Sequence, residues 1–269
     1  MQTIKLPQGK IPQLGLGTWQ LTGRKCREAM LKALELGYRH IDTAWIYDNQ
    51  EVIGKALKES KIARDSLFIT SKVWYDNLSY HDVLNQCSET LKQLQTDYLD
   101  LYLIHWPNNK IDMKETFKAM HELLQKGKVR NIGVSNFTVE HLEQARKLSK
   151  KISINQVEFH PYLYQKALLN YCNENKVTLT AYSPLGRGQI LNDKTITEIA
   201  KKHNKSPAQI CLRWLIQKDI IVIPKASSEH HLKNNLEVFD FSLKEKEMKL
   251  IDSIGIKKRM VNPGFAEFD

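Results

Sequence analysis

Four ionisable side chains in the first part of the chain could together deliver a proton to a carbonyl oxygen: Asp42, Tyr47, Lys72 and His105. A free tyrosine has a pKa of about 10, which makes it a sluggish acid at neutral pH. A nearby lysine ammonium would stabilise the phenolate and lower the tyrosine pKa, and an aspartate would keep that lysine charged and oriented. A histidine could donate a hydrogen bond to the carbonyl oxygen. We therefore expect Tyr47 to be a general acid with a lowered pKa, beside a polarised carbonyl.

Each of these residues also has an ordinary structural explanation. Asp42 could cap the segment that follows it, and Lys72 could extend along the rim of the protein into solvent. His105 could be a hydrogen-bonded core histidine, and Tyr47 is one of ten tyrosines. The chemical interpretation therefore depends on whether the fold brings the four side chains together. If the reaction is a reduction, a cofactor must supply the hydride, because no side chain here is a hydride source.

The elements that must position these side chains follow a regular alternation. Apolar runs typical of buried strands are separated by segments with apolar residues at helical spacing. The runs begin near Leu14, Tyr38, Leu67, Leu99, Val129, Ile154, Thr178 and Ile220. Eight strands, each followed by a helix and without a flexible linker, predict a single α/β domain over residues 1–269, a (β/α)8 TIM barrel.

Three further features complete the predicted barrel. Residues 3–13 alternate around Pro7-Gln8-Gly9 and predict an N-terminal β-hairpin. Two extra helices are expected, over 195–203 and over 243–254, the second starting at Ser242 with Glu245 in a capping box. A doubly wound sheet is the rival fold, but Gly15-Leu16-Gly17-Thr18-Trp19-Gln20 lacks the third glycine of its dinucleotide-binding turn.

In a barrel of this kind the chemistry lies at the carboxyl ends of the strands. The predicted ends carry polar or ionisable groups at strand after strand, which core packing alone would not require. They are Asp42, Lys72, His105, Ser135-Asn136, Gln156 with Glu158, Tyr182-Ser183 and Pro224-Lys225. An acid, a lysine and a histidine on adjacent strands therefore converge on one mouth, with Tyr47 just beyond.

Composition excludes several other classes of protein. The net charge is +10, but the basic residues are scattered and no like-charged run reaches interaction-tail length, so nucleic-acid binding is disfavoured. The longest apolar runs are too short to cross a bilayer, and the N-terminal residues lack the apolar region of a secretory signal, so we expect a cytoplasmic protein. The cysteines (Cys26, Cys87, Cys172 and Cys211) form no C-x-x-C pair and are expected to be reduced packing residues rather than metal ligands. A monomer is the default expectation.

Six segments in order along the chain resemble the aldo-keto reductases. They are Asp42-Thr-Ala-Trp-Ile-Tyr47, Ile69-Thr-Ser-Lys72-Val-Trp74, Leu103-Ile-His105-Trp106-Pro107, Gly133-Val-Ser135-Asn136-Phe137, Asn155-Gln156-Val-Glu158-Phe-His160-Pro161 and Ile223-Pro224-Lys225. The resemblance spans essentially the whole chain and looks closest to the bacterial branch of B-type 2,5-diketo-D-gluconate reductases and methylglyoxal reductases. It implies reduction of small aldehydes or ketones by hydride transfer from NAD(P)H.

The resemblance also implies a role for each matching residue. Tyr47 would be the proton donor, with Lys72 and Asp42 as its tuning pair and His105 as the residue that orients the carbonyl. Ser135, Asn136 and Gln156 would hold the nicotinamide carboxamide, and Tyr182 would stack on its ring. The pyrophosphate path would be lined by Ser183, Leu185 and Gly186. The adenosine 2′-phosphate would meet Lys225 and Ser227, with His231 and Asn235 near the adenine. The full set implied for the cofactor is Gly17, Thr18, Asp42, Ser135, Asn136, Gln156, Tyr182, Ser183, Leu185, Gly186, Lys225, Ser227, His231 and Asn235.

Two departures from the family pattern bear on the choice of cofactor. NADPH-preferring members usually have serine after the Pro-Lys pair and arginine six residues after the lysine, whereas this chain has Ala226 and His231. Arginine is always charged and grips phosphate bidentately, while histidine is mostly neutral at pH 7. Because Lys225 is present, NADPH is favoured, and use of NADH is possible.

The substrate pocket would be lined by Trp19, Trp45, Trp74 and Trp106, together with Tyr47 and His105. Short segments after His105 and Gly255 predict an open, shallow mouth suited to small polar carbonyls, such as keto sugars, methylglyoxal or α-keto esters. Two other functions are alternatives: a non-catalytic nicotinamide-binding sensor or accessory subunit, and a hydrolase using Ser135 and His105. The hydrolase lacks the second glycine of G-x-S-x-G around Ser135.

Overall fold

A computed structural model describes residues 2–268 as an α/β barrel. Most strands are short and wholly buried, in keeping with their apolar composition. The strands are β1 (Thr3–Lys5), β2 (Lys10–Pro12), β3 (Leu16–Gly17), β4 (His40–Asp42), β5 (Phe68–Val73), β6 (Leu99–Ile104), β7 (Val129–Ser135), β8 (Ile152–Glu158), β9 (Thr178–Tyr182) and β10 (Ile221–Val222). The helices are α1 (Gly23–Glu35), α2 (Gln50–Ser60), α3 (Tyr80–Leu94), α4 (Met113–Gln125), α5 (Val139–Leu148), α6 (Lys166–Glu174), α7 (Lys194–His203), α8 (Pro207–Ile216), α9 (Glu229–Leu236) and α10 (Glu245–Asp252).

Strands β3 to β10 pair in parallel, each with its neighbour in the chain. The first and last are joined by further backbone bonds: Gly15 N donates to Val222 O (2.8 Å) and Val222 N donates to Gln13 O (2.9 Å). These bonds close the sheet on itself, so no long edge is left exposed. The predicted (β/α)8 barrel is confirmed.

The N-terminal hairpin β1–β2 is confirmed as well, with Thr3 opposite Pro12. Its Leu6 and Ile11 are buried against Leu101 and Ile154, which point into the barrel. The hairpin therefore covers the end of the barrel where the strands begin, and the opposite end is left for chemistry.

Helix boundaries follow the predicted caps with one exception. Gly37 after α1 has a φ of +98°, as its predicted place past the helix end requires. Helix α8 begins after Ser206, whose hydroxyl accepts from Gln209 N, as predicted. Helix α10, however, starts at Glu245 and not near Ser242. The hydroxyl of Ser242 instead accepts from Arg213 Nη2 (3.0 Å), and the carboxylate of Glu247 accepts from Lys244 N (2.8 Å).

All four cysteines are free and buried, which fits the packing role expected of them. Burial raises the pKa of the Cys26 thiol to about 11, so this sulfur is a poor nucleophile. None of the helices within residues 2–268 combines the length and the apolar character needed to cross a membrane.

Candidate active site

Asp42, Lys72 and Tyr47 meet at the carboxyl ends of β4 and β5. Lys72 Nζ donates to Asp42 Oδ1 (2.6 Å) and to Thr43 O (2.9 Å), and it lies 3.5 Å from Tyr47 Oη. The lysine side chain is fully buried and that of Asp42 is nearly so. An ammonium buried this deeply needs an ionic partner, and Asp42 supplies it.

Tyr47 is positioned by the loop between β4 and α2. Residues Trp45–Tyr47 form a single 3-10 turn, which ends at Asp48 in the left-handed region (φ 52°). Asn49 then fastens the loop from within: its Nδ2 donates to Thr18 O and Leu21 O, both at 2.9 Å, and its Oδ1 accepts from Thr43 Oγ1 (2.8 Å). The direction of the Tyr47 phenol is therefore set by buried hydrogen bonds on the following residues.

The electrostatics of Tyr47 differ from the expectation. Burial, reinforced by the negative charge of Asp42, raises the Tyr47 pKa well above its usual value. The predicted lowering is wrong for this arrangement, because the desolvation of the phenol and the negative charge of Asp42 decide the direction of the shift. Burial also lowers the pKa of Lys72, an effect that Asp42 opposes. Tyr47 is consequently a fully protonated phenol at neutral pH.

His105 follows β6 and completes the cluster. Its ring centroid lies 5.7 Å from that of Tyr47 and 5.3 Å from that of Trp74, both edge-on. Burial, together with the nearby positive charge of Lys72, holds the pKa of His105 well below its ordinary value. A neutral imidazole can donate a hydrogen bond to a carbonyl oxygen, but it is a poor source of a proton.

Four residues predicted for the nicotinamide carboxamide and ring lie on neighbouring strands of the same mouth. Gln156 Nε2 donates to Asp42 Oδ2 (2.6 Å), and Ser135 Oγ donates to Gln156 O (2.8 Å). Asn136 Nδ2 donates to Ser135 Oγ (3.1 Å), and Asn136 Oδ1 accepts from Tyr182 Oη (2.7 Å). The network reaches the Asp42 carboxylate, so the two predicted sites are contiguous.

The residues predicted for the pyrophosphate, the 2′-phosphate and the adenine lie around β9, β10 and α9. Ser183 (φ 45°) and Gly186 (φ 51°) form a tight turn after β9, in which Leu185 is half-buried. Lys225, Ser227 and His231 are exposed, and His231 N donates to Ser228 Oγ, the cap of α9. Asn235, in contrast, is buried.

Arg187 is a cation beside the mouth that the sequence motifs do not single out. It lies in the turn after β9, and its guanidinium carbon is 4.9 Å from the ring centroid of Trp19. Lys225 Nζ approaches the same ring at 5.9 Å. Two cations thus converge on one exposed indole. In the sequence, Arg187 could have been found as a basic residue in the loop after the seventh barrel strand, where barrels commonly bind phosphate.

Gly17 and Thr18, which are predicted to contact the cofactor, also have structural tasks. A Cβ atom at Gly17 would lie 2.5 Å from Ile223 O, so glycine is required where the first and last strands close the barrel. Thr18 is fully buried, and its hydroxyl donates to Asp42 O (2.9 Å). Both residues therefore stabilise the backbone at the mouth of the barrel.

The four predicted wall tryptophans do not form one group. Trp19 is 41% exposed and faces the cations described above, and Trp45 Nε1 donates to Glu89 on α3 (2.8 Å). Trp74 is half-buried and Trp106 is buried, and both belong to the aromatic cluster around His105 and the C-terminal tail, residues 253–268 after α10.

The C-terminal tail adds a wall that the predicted open, shallow mouth lacks. The ring of Phe265 packs edge-on against Trp74 and Trp106, with ring centroids 5.8 Å and 5.6 Å apart. It also stacks on Tyr75, at a centroid distance of 4.4 Å. Phe268 also contacts Trp106, at 5.7 Å. The tail is short, but it folds back over the mouth and adds an aromatic wall.

Comparison with known proteins gives consistent matches over nearly the whole chain. The family model described as aldo/keto reductase family matches residues 13–256. The chain is 46% identical over 261 residues to the glyoxal reductase of Bacillus subtilis (strain 168), covering 96% of the chain and 94% of that protein. It is 38% identical over 257 residues to the methylglyoxal reductase DkgB of Escherichia coli O157:H7, with 94% and 96% covered. A crystal structure of MGS-M4, an aldo-keto reductase from a Medee basin deep-sea metagenome library, superposes with a TM-score of 0.94 at 42% identity, covering 99% of each chain.

Proposed function

The chain belongs to the aldo/keto reductase family and is an NAD(P)H-dependent oxidoreductase that reduces carbonyl groups, and from this premise we propose that Tyr47 protonates the carbonyl oxygen of a small aldehyde or ketone. The resemblance drawn from the six sequence segments is confirmed by the family match. The observation that carries the proposal is the buried contact of Lys72 with Asp42 (2.6 Å) and Tyr47 Oη (3.5 Å), with His105 beside them.

The proposed roles follow from the protonation states. Tyr47 holds its proton until the carbonyl oxygen gains negative charge, and then donates it. The ammonium of Lys72 stabilises the tyrosinate left behind, and Asp42 keeps that ammonium in place. His105, as a neutral donor, orients the carbonyl oxygen toward the phenol. The product is an alcohol that carries the proton of Tyr47 on its oxygen.

The residues at the mouth fit a nicotinamide cofactor. Amide and hydroxyl groups of Ser135, Asn136 and Gln156 are the kinds of group that bind a carboxamide, and Lys225 and Arg187 supply positive charge on the side where phosphates would lie. When bound, the cofactor supplies the hydride. We propose NADPH as the preferred form on the basis of Lys225.

Small α-oxoaldehydes such as methylglyoxal are our proposed substrate class. Two of the similar proteins bear the names glyoxal reductase and methylglyoxal reductase. The aromatic wall of Trp74, Trp106 and Phe265 narrows the approach to His105 and supports this size limit. Because the barrel closes on itself, we further propose that residues 1–269 form one domain. A cytoplasmic monomer, as expected from the sequence, completes the proposal.

The test is a panel of aldehydes, ketones and keto sugars assayed with NADPH and with NADH, following the loss of reduced nicotinamide. We expect turnover with methylglyoxal and phenylglyoxal, and we expect the rate to saturate at a lower concentration of NADPH than of NADH. If none of the carbonyls consumed either cofactor although both bound, a non-catalytic nicotinamide-binding role would replace this proposal.

A hydrolase based on Ser135 is disfavoured by the geometry. Ser135 Oγ donates its proton to Gln156 O (2.8 Å), and the side chain of Asn136 donates to the same Oγ. The hydroxyl is thus engaged with the amide network, where a nucleophilic serine would instead donate to a histidine.

We expect His231→Arg to lower the Kd for NADPH while leaving the Kd for NADH nearly unchanged. The two cofactors differ by one phosphate, and an arginine at this exposed position in the first turn of α9 would reach it together with Lys225. A charge-assisted hydrogen bond of this kind should widen the ratio of the two Kd values by roughly tenfold. Titration of the intrinsic tryptophan fluorescence with each cofactor measures both constants.

The neighbouring variant His230→Arg is the matched control. It adds the same charge one residue away, at another exposed position whose ring contacts Asn234. If the arginine at position 231 contacts the phosphate directly, the ratio of the Kd values for NADH and NADPH should change far more in His231→Arg than in His230→Arg. An equal change in both variants would point to long-range charge alone, and an unchanged ratio would remove His231 from the phosphate site.

A further inference from the structure

The buried carboxylate of Glu158 has no part in the chemistry above, yet its surroundings are unusually specific. Glu158 ends β8, two residues after Gln156, and its side chain is fully buried. A buried carboxylate is costly unless several donors satisfy it. The donors around Glu158 therefore indicate what it holds.

Among residues 2–268, three donors meet this carboxylate, and two belong to the C-terminal tail. Met260 N donates to Oε1 (2.7 Å) and Val261 N donates to Oε2 (2.8 Å). His160 Nε2 donates to Oε1 as well, at 2.8 Å. Hydrogen bonds from backbone amides to a buried carboxylate are of the strong, charge-assisted kind. The tail is thus tied to the barrel at a point about a hundred residues away along the chain.

Neighbouring contacts hold the same stretch in place. Lys258 N donates to Tyr162 O (2.7 Å), and Lys257 pairs with Leu163 in a short antiparallel bridge. A few residues beyond the tie, Phe265 packs on Trp74 and Trp106. The tie at Glu158 therefore lies only four residues before Phe265 and restricts where its ring can lie.

We propose that Glu158 is a positioning residue for substrate selection: it latches the tail so that Phe265 completes the wall beside His105. This inference rests on the proposed carbonyl reductase function. The latch acts on the size of the accepted carbonyl and not on the proton transfer, since Glu158 touches the tail rather than the reacting groups. Loosening it should open the wall to bulkier substrates.

The latch has a direct test in the wild-type chain and in Glu158→Gln. This substitution keeps the shape of the side chain but removes the negative charge and turns one acceptor into a donor facing an N–H group. Lys257, Lys258 and Arg259 give trypsin three cleavage sites beside the tied amides. We expect the rate of tail cleavage under native conditions to rise roughly tenfold or more in the variant. Mass spectrometry identifies the cut, and equal rates in both proteins would overturn the latch.

The second readout is the ratio of kcat/KM for phenylglyoxal to that for methylglyoxal. These α-oxoaldehydes differ only in a phenyl group in place of a methyl group, so the ratio reports on the wall. In Glu158→Gln the ratio should rise by roughly fivefold or more, and Phe265→Ala should shift it in the same direction. Faster cleavage with an unchanged ratio would show a tail anchor without influence on selection, which would overturn the proposal.

Asp100→Asn is the matched control. Asp100 is also a buried carboxylate on a barrel strand, but it lies near the start of β6 and accepts from Ile69 N and Arg64. Its replacement should leave both the cleavage rate and the selectivity ratio at wild-type values. Should the wild-type protein reduce no carbonyl at all, the proposed function would fail, while the cleavage experiment would still decide whether Glu158 holds the tail.

Discussion

Tyr47→Phe is expected to lower kcat for methylglyoxal reduction by roughly 10²–10⁴-fold, the range typical of a lost general acid. The Kd for NADPH should stay nearly unchanged, because the phenol meets Lys72 and the His105 ring rather than the amide network around Ser135. Steady-state kinetics and fluorescence titration measure the two quantities on the same preparation.

The reason for assigning the proton to Tyr47 lies in the competing donor. An imidazolium at His105 would be a stronger acid than a phenol, but the pKa of His105 lies well below its ordinary value. The histidine is therefore neutral at pH 7, and its N–H can orient a carbonyl without protonating it. The phenol of Tyr47, in contrast, carries its proton at pH 7 and can donate it.

Tyr75→Phe is a suitable control for the loss of a hydroxyl at the mouth. The Tyr75 ring stacks on Phe265 and would be kept, so kcat should change little. If Tyr47→Phe retained near wild-type kcat, or if both variants lost activity equally, Tyr47 would not be the proton donor.

The convergence of the site residues could be predicted from sequence because it follows from strand order. Asp42, Lys72 and His105 each stand at the end of an apolar run, and parallel strands in a closed barrel bring those ends together. The hairpin and the stop at Gly37 were likewise accessible, since each depends on residues adjacent in the chain.

The parts that could not be predicted depend on contacts between distant residues. The direction of the Tyr47 pKa shift is set by burial and by the charge of Asp42. The spacing of residues in the sequence reveals neither the size of these two effects nor the hydrogen bond from Lys72 to Asp42. The tail has no helical or strand periodicity, and its anchor Glu158 lies 102 residues from Met260. The late start of α10 arises because Arg213, on another helix, engages Ser242.

Lys72→Met is expected to lower the free energy of unfolding by about 3–5 kcal/mol, the usual cost of leaving one member of a buried ion pair without its partner. Methionine fills much of the same space, but within residues 2–268 it leaves the Asp42 carboxylate with Gln156 as its remaining side-chain donor. Equilibrium unfolding in urea measures the loss. The kcat for carbonyl reduction should also fall by roughly 10²-fold or more, because no ammonium remains to stabilise the Tyr47 phenolate.

The double variant Asp42→Asn/Lys72→Met separates these two effects. With both charges removed, the desolvation penalty disappears, and most of the lost stability should return. Turnover should not return, since Tyr47 still lacks the neighbouring ammonium. Recovery of both properties would mean that Lys72 serves the fold alone, and recovery of neither would mean that the mouth needs the ion pair for its shape. The expected combination, a stable but inactive protein, would establish that the buried charge of Lys72 is kept for the reaction rather than for folding.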